Sequence, residues 1–170
     1  MTSRVTEVDH VVSTASARAR GGYADLTAPL VAASLATKAI APLLLAKHFA
    51  GKLPPDGSLL FLSGATALKP TPGMLAVAAT NAAVDAVTAG LAVELAPVRG
   101  NAIAPGTIDT GAYDALGTRE RQRCSRRVRR PTRHDASARP TTSRPRALMA
   151  LTNGFLTGVS IPVDGGEHLV

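Results

Sequence analysis

The chain has no tryptophan and one cysteine, and aromatic residues make up only 3% of its 170 residues. The lone Cys124 excludes an intramolecular disulfide and a zinc site built on paired thiolates, since each needs a second sulfur. A soluble, cytoplasmic protein is therefore expected. The opening "MTSRVTEVDHVV" holds no apolar stretch of signal-peptide length. The longest apolar run, "AIAPLLLA" at 39–46, is shorter than the roughly 20 residues that cross a bilayer, so no membrane association is expected. With so few rings, the core has to come from Ala, Val, Leu and Ile, within an apolar share of 45%. Ala and Leu favour helices, whereas Val and Ile suit buried strands. A chain of this length buries roughly 70% of the surface it exposes when unfolded, enough for a single domain over 1–170.

Positive charge is present, but in one place. The net charge is +7, yet residues 117–147, "GTRERQRCSRRVRRPTRHDASARPTTSRPRA", hold eleven Arg against Glu120 and Asp135. The remainder holds eight Lys or Arg against ten acids and is slightly acidic. No aromatic interleaves with the arginines to stack on bases, so nucleic acid is not an expected partner. The segment has no hydrophobic period and too few apolar side chains to offset its chain entropy, and it is predicted to be disordered or poorly packed. Its crowding of Arg, Pro, Ser, Thr and Ala is what a GC-rich gene yields when read out of frame between two compensating shifts.

Four short apolar runs bounded by turn residues read as buried parallel strands: "HVVS" at 10–13, "SLLFLS" at 58–63, "GNAIA" at 100–104 and "VSIPV" at 159–163. Between the first two lies a helical pattern over about 27–52, with Thr27 as N-cap and Pro29 in the first turn. Pro42 should kink it, because an interior proline removes a ladder bond. A second helix is predicted over about 74–96, its buried stripe formed by Val77, Val84, Val87, Leu91 and Leu95. Alternating strands and helices imply an α/β fold with a parallel sheet.

The stretches "GLAVELAPVRGNAIAPGTIDT" at 90–110 and "NGFLTGVSIPVDGGEHLV" at 153–170 are specific in combination, supported by "VDHVVSTAS" at 8–16 and "GSLLFLSGATALKPTPG" at 57–73. Together they resemble the second half of a short-chain dehydrogenase/reductase. The resemblance covers 8–116 and about 148–170. It implies a partial Rossmann-type, doubly wound parallel sheet of about four strands with flanking helices. It also implies an NAD or NADP cofactor, and hydride transfer between the nicotinamide and a small carbonyl or alcohol substrate. Homo-oligomers built on the two long helices are a further implication.

The family's chemistry depends on a Tyr hydroxyl whose pKa, about 10 when free, is lowered by a Lys four residues on. A spacing of four puts both side chains on one helix face. In this sequence those positions are Val77 and Asn81. The family's Ser position is Gly64; its neighbour Ser63 is one residue off and is expected on the opposite face of the strand. The fourth catalytic position, often Asn, aligns with Lys38. None of the four is matched, so no catalytic residue is assigned and the chain is expected to be impaired or inactive.

The resemblance places the family's Gly-rich phosphate turn before the start of this chain, and no such motif occurs within it. What it implies for the cofactor is Thr14 beside the ribose, and the loop Pro105, Gly106, Thr107, Ile108 and Thr110 around the nicotinamide amide. Asp164, Gly165 and Gly166 read as a turn with positive φ. The four histidines have no metal-ligand spacing to one another, and no metal site is expected. The alternative reading is a non-catalytic interaction protein that associates through helices 27–52 and 74–96.

Overall fold

A computed structural model describes residues 5–108 and 143–169. All four predicted strands form: β1 (His10–Ser13), β2 (Ser58–Leu62), β3 (Arg99–Pro105) and β4 (Ser160–Val163). They make one parallel sheet in the order β1-β2-β3-β4, with Val11 opposite Leu59, Leu59 opposite Gly100 and Ile103 opposite Ile161. This is the predicted α/β architecture. At the centre of the sheet β2 and β3 are buried on both faces, and a slip of one residue would exchange their two sets of side chains.

Successive side chains of each strand enter different cores. On one face Val11, Leu59, Phe61 and Ala102 pack with Ala46, Val84 and Leu91 from the helices. On the other, Leu60 and Ile103 pack with Ala150, Ile161 and Val163. The first helical segment begins as α1 (Ala28–Leu35), with Thr27 at the N-cap and Pro29 in the first turn. It widens into a π turn over Ala36–Ile40 and resumes as α2 (Ala41–Phe49). Pro42 has no N–H to give to the carbonyl of Lys38 four residues back, so the disturbance falls on the turn before the proline.

Helix α3 (Leu75–Glu94) carries the predicted stripe: Val77, Val84 and Leu91 are buried, with Val87 and Leu95 packed against the same core. Segments 28–52 and 75–94 are each long and apolar enough to cross a membrane by length and composition, which the shorter unbroken run at 39–46 had not suggested. In this fold α2 and α3 supply residues to the core on one face of the sheet.

Helix α4 (Arg144–Thr152) revises the boundary of the Arg/Pro-rich segment. Residues 144–147, expected to be unstructured, form its first turn, with Pro145 where the missing N–H costs nothing. Positions 109–142, including most of that segment and Thr110, lie outside the described residues. The C-terminal end of α4 is held by Arg99, a buried residue whose guanidinium donates to the carbonyls of Ala150, Leu151, Asn153 and Asp56 at 2.7–3.1 Å. A cation on the last carbonyls of a helix satisfies acceptors that have no partner within the helix.

Candidate functional site

Four parallel strands end on the same side of the sheet, and residues from the segments that follow all four line one cavity of about 220 Å³. Thr14, Ser16, Arg18 and Arg20 come from the segment after β1. Ser63, Gly64, Thr66 and Lys69 follow β2, and Gly106 and Thr107 follow β3. Lys38 enters from the π turn, Val77, Thr80 and Asn81 from α3, and Glu167 and His168 from the chain beyond β4. Open parallel sheets bind ligands at this end because the loops there diverge.

Lys38 is 7% exposed, and its ammonium donates to the carbonyl oxygens of Leu62 at 2.6 Å and Ser63 at 3.1 Å. Burial and then the nearby Arg18 charge lower its pKa from 10.5 to about 8, against an opposing contribution from Asp85. Asn81 is 4% exposed and gives its amide N–H to Thr66 Oγ1 at 2.8 Å, while its Oδ1 has no partner. A buried carbonyl without a donor is costly, and this one is left as an unused acceptor. Gly64 permits this arrangement: a Cβ there would stand 2.5 Å from Asn81 Nδ2.

Ser63 differs from expectation. β2 ends at Leu62, so strand alternation no longer governs the next residue, and Ser63 lines the same cavity as Gly64. Its hydroxyl is engaged, donating to the main-chain oxygen of Asn81 at 3.1 Å. The cavity thus gathers all the positions compared with the family's catalytic set: Lys38, Ser63, Gly64, Val77 and Asn81.

Of the expected cofactor contacts, Thr14, Pro105, Gly106 and Thr107 line the cavity. Ile108 is described but is not among its lining residues. Thr107 has an unexpected partner. The Glu167 carboxylate accepts from its backbone N–H at 2.8 Å and from its hydroxyl at 2.9 Å.

The turn at Asp164, Gly165 and Gly166 delivers that carboxylate, with φ of +62° and +81° at the two glycines. Asp164 fastens the turn by accepting from the backbone N–H groups of Gly166 and His168 and by bonding the His168 ring. Burial pushes the Asp164 carboxyl up, but these bonds and the imidazole outweigh it and leave the pKa below 3.8. Gly106 lets the turn approach, since a Cβ would lie 2.7 Å from Asp164 Cβ. Sequence reasoning missed Lys38 and Glu167 as site residues. Lys38 aligns with the family's fourth catalytic position, but as a mismatch to the usual Asn it was not assigned to the site.

A family model described as "Enoyl-(Acyl carrier protein) reductase" matches residues 1–168. The chain belongs to the short-chain dehydrogenase/reductase family. It is 38% identical over 113 residues to a member from Stachybotrys chlorohalonatus, a match covering 62% of this chain and 43% of that protein. It is also 32% identical over 114 residues to the peroxisomal 2,4-dienoyl-CoA reductase of Saccharomyces cerevisiae, covering 65% of this chain and 38% of that enzyme. The chain thus spans about half or less of the length of these curated relatives.

Among solved structures, a small-chain dehydrogenase in complex with NADPH superposes with a TM-score of 0.90 at 32% identity, covering 99% of this chain and 77% of that one. Members of the family at lower identity share the fold, and these comparisons give no support to a purely non-catalytic interaction protein.

Proposed function

We propose that this chain serves an oxidoreductase reaction between a small carbonyl or alcohol compound and NAD or NADP. The observation that carries the reading is the cavity at the strand ends, where Thr107 presents a backbone N–H and a hydroxyl to one acceptor group. The Glu167 carboxylate occupies these two groups with its two oxygens; a nicotinamide carboxamide would instead accept the Thr107 N–H through its single oxygen and donate from its NH2 to the Thr107 hydroxyl oxygen. Thr107 would hold that amide once Glu167 withdraws, and Thr14 would stand beside the sugar. When bound, the nicotinamide supplies the hydride chemistry. The chain's own residues orient the two reactants and exclude water. The usual Tyr and Lys relay has no counterpart at Val77 and Asn81, so a proton must move by another route.

The experiment is saturation-transfer NMR of NADPH and NADH with the purified chain. The expected result is saturation of the nicotinamide protons that disappears in Thr107→Val. No transfer to the nicotinamide from the intact chain would overturn the reading.

Self-association through the helices belongs to the same proposal and is supported by Ile40, Leu43 and Leu44, each about half exposed on segment 28–49. A cytoplasmic location is supported by the single Cys124, which suits a reducing compartment. Fluorescence microscopy of a tagged chain checks that location, and confinement to a secretory organelle would contradict it.

A further inference from the structure

The cavity is lined by the buried amine of Lys38 and by Asn81, whose buried side-chain oxygen has no partner, and Ser63 bonds to both residues. Ser63 accepts the Lys38 ammonium through its main-chain oxygen and donates through its hydroxyl to the main chain of Asn81. Two of the three ammonium donors of Lys38 are used by Leu62 and Ser63, and among the described residues no carboxylate lies within ion-pair distance of it. The remaining Lys38 donor and the Asn81 Oδ1 acceptor, on two residues that line one cavity, suit a group that can accept and donate together. A hydroxyl does both.

We propose that Lys38 and Asn81 form the oxygen-binding pair of this cavity, with Lys38 exchanging a proton with the alcohol or carbonyl oxygen of a small ligand and Asn81 orienting its hydroxyl. The class of ligand rests on the oxidoreductase reading; the choice of residues rests on the geometry.

Lysine suits the task in both charge states. As an ammonium it donates its third N–H to a carbonyl oxygen; as an amine, with two hydrogens held by Leu62 and Ser63, it presents a lone pair to a hydroxyl. In the reducing direction the carbonyl carbon gains a hydride from a reduced nicotinamide and its oxygen gains the Nζ proton. The neutral amine left behind is reprotonated from water. The pKa of about 8 places both forms within reach near neutral pH. The charged groups around Lys38 are Arg18 and Arg20 after β1, Asp85 on α3, Lys69 after β2, and Glu167 with His168 after β4. Cations predominate, which agrees with the downward shift.

The test uses 4-fluorobenzyl alcohol as the probe, followed by 19F NMR line broadening on the intact chain across about pH 6 to about pH 10. Broadening should change with a midpoint near 8. It should be lost in Lys38→Met and weakened at least severalfold in Asn81→Leu. Because Lys38→Met removes two bonds that tie the π turn to the end of β2, Lys38→Arg serves as the second variant. Arginine keeps charge and donors but stays protonated, so it should retain broadening with no transition near pH 8. Broadening that is absent from the native chain, indifferent to Asn81→Leu, or still titrating near pH 8 in Lys38→Arg would overturn the pair. NADPH binding measured on the same samples separates the two proposals. Nicotinamide contact without the fluorine pattern rejects the pair alone, whereas the fluorine pattern without nicotinamide contact supports the pair and rejects the oxidoreductase reading.

Discussion

At the scale of single residues, two charged groups set measurable behaviour. Lys38 has a folded-state pKa near 8 and an ordinary value of 10.5, so between those limits the unfolded chain binds more protons than the folded one. Stability from this residue therefore rises with pH from about 8 to about 10.5, and below about 8 the full burial cost is present. Urea unfolding of the native chain and Lys38→Met should show the difference shifting in favour of the native chain as pH is raised through that window. Asp164 has the opposite dependence at acid pH: its contribution is present above 3.8 and is lost as pH falls through its lower folded value. Glu167 competes for the donors of Thr107, so Glu167→Ala should tighten NADPH binding several-fold while costing about 1–2 kcal/mol of stability. Titration of NADPH by fluorescence and denaturant unfolding of the same variant check both halves. Little of this was legible in the sequence. Thr107 could be singled out because a contiguous motif surrounds it, but Glu167 meets it across sixty residues of chain through a glycine turn, and that contact exists only in the folded state.

At the scale of elements, β2 and β3 were readable because they are buried on both faces, and the shorter β1 and β4 because each leaves a short apolar run bounded by turn residues. Helix α3 was readable because its apolar side faces the sheet at helical spacing. The start of α4 was not, because Arg144, Pro145 and Arg146 look like their charged surroundings; its tertiary anchor, Arg99, lies on another strand. Arg99→Met should accordingly release the end of α4 and lower stability by about 2–4 kcal/mol, since four carbonyls lose a charged donor. Hydrogen exchange should show the largest gain over residues 144–156. The π turn was foreshadowed only as a kink at Pro42. In the α1–α2 segment, Leu44→Glu places a charge on an exposed apolar side, and sedimentation velocity should report a smaller species if that side joins two copies.

At the scale of the whole molecule, one sheet separates two cores that depend on different parts of the chain. The core under α2 and α3 draws on residues 11–102, whereas the core under α4 needs residues from beyond position 143. Truncating Phe61 to Ala should cost about 3–5 kcal/mol through the first core, and Ile103→Val about 0.5–1.5 kcal/mol through the second, as read by thermal or denaturant unfolding. The site lies at the strand ends between these cores, so its geometry depends on both. The close approach of Gly64 to Asn81 bears on how such a chain can change over generations. A serine introduced at 64 while asparagine remains at 81 meets the amide head-on, whereas removing the asparagine first opens the space. Substitutions at these two positions therefore have a preferred order. Gly64→Ser should be markedly less harmful in an Asn81→Ala background than alone, as denaturant unfolding of the two single variants and the double variant would read.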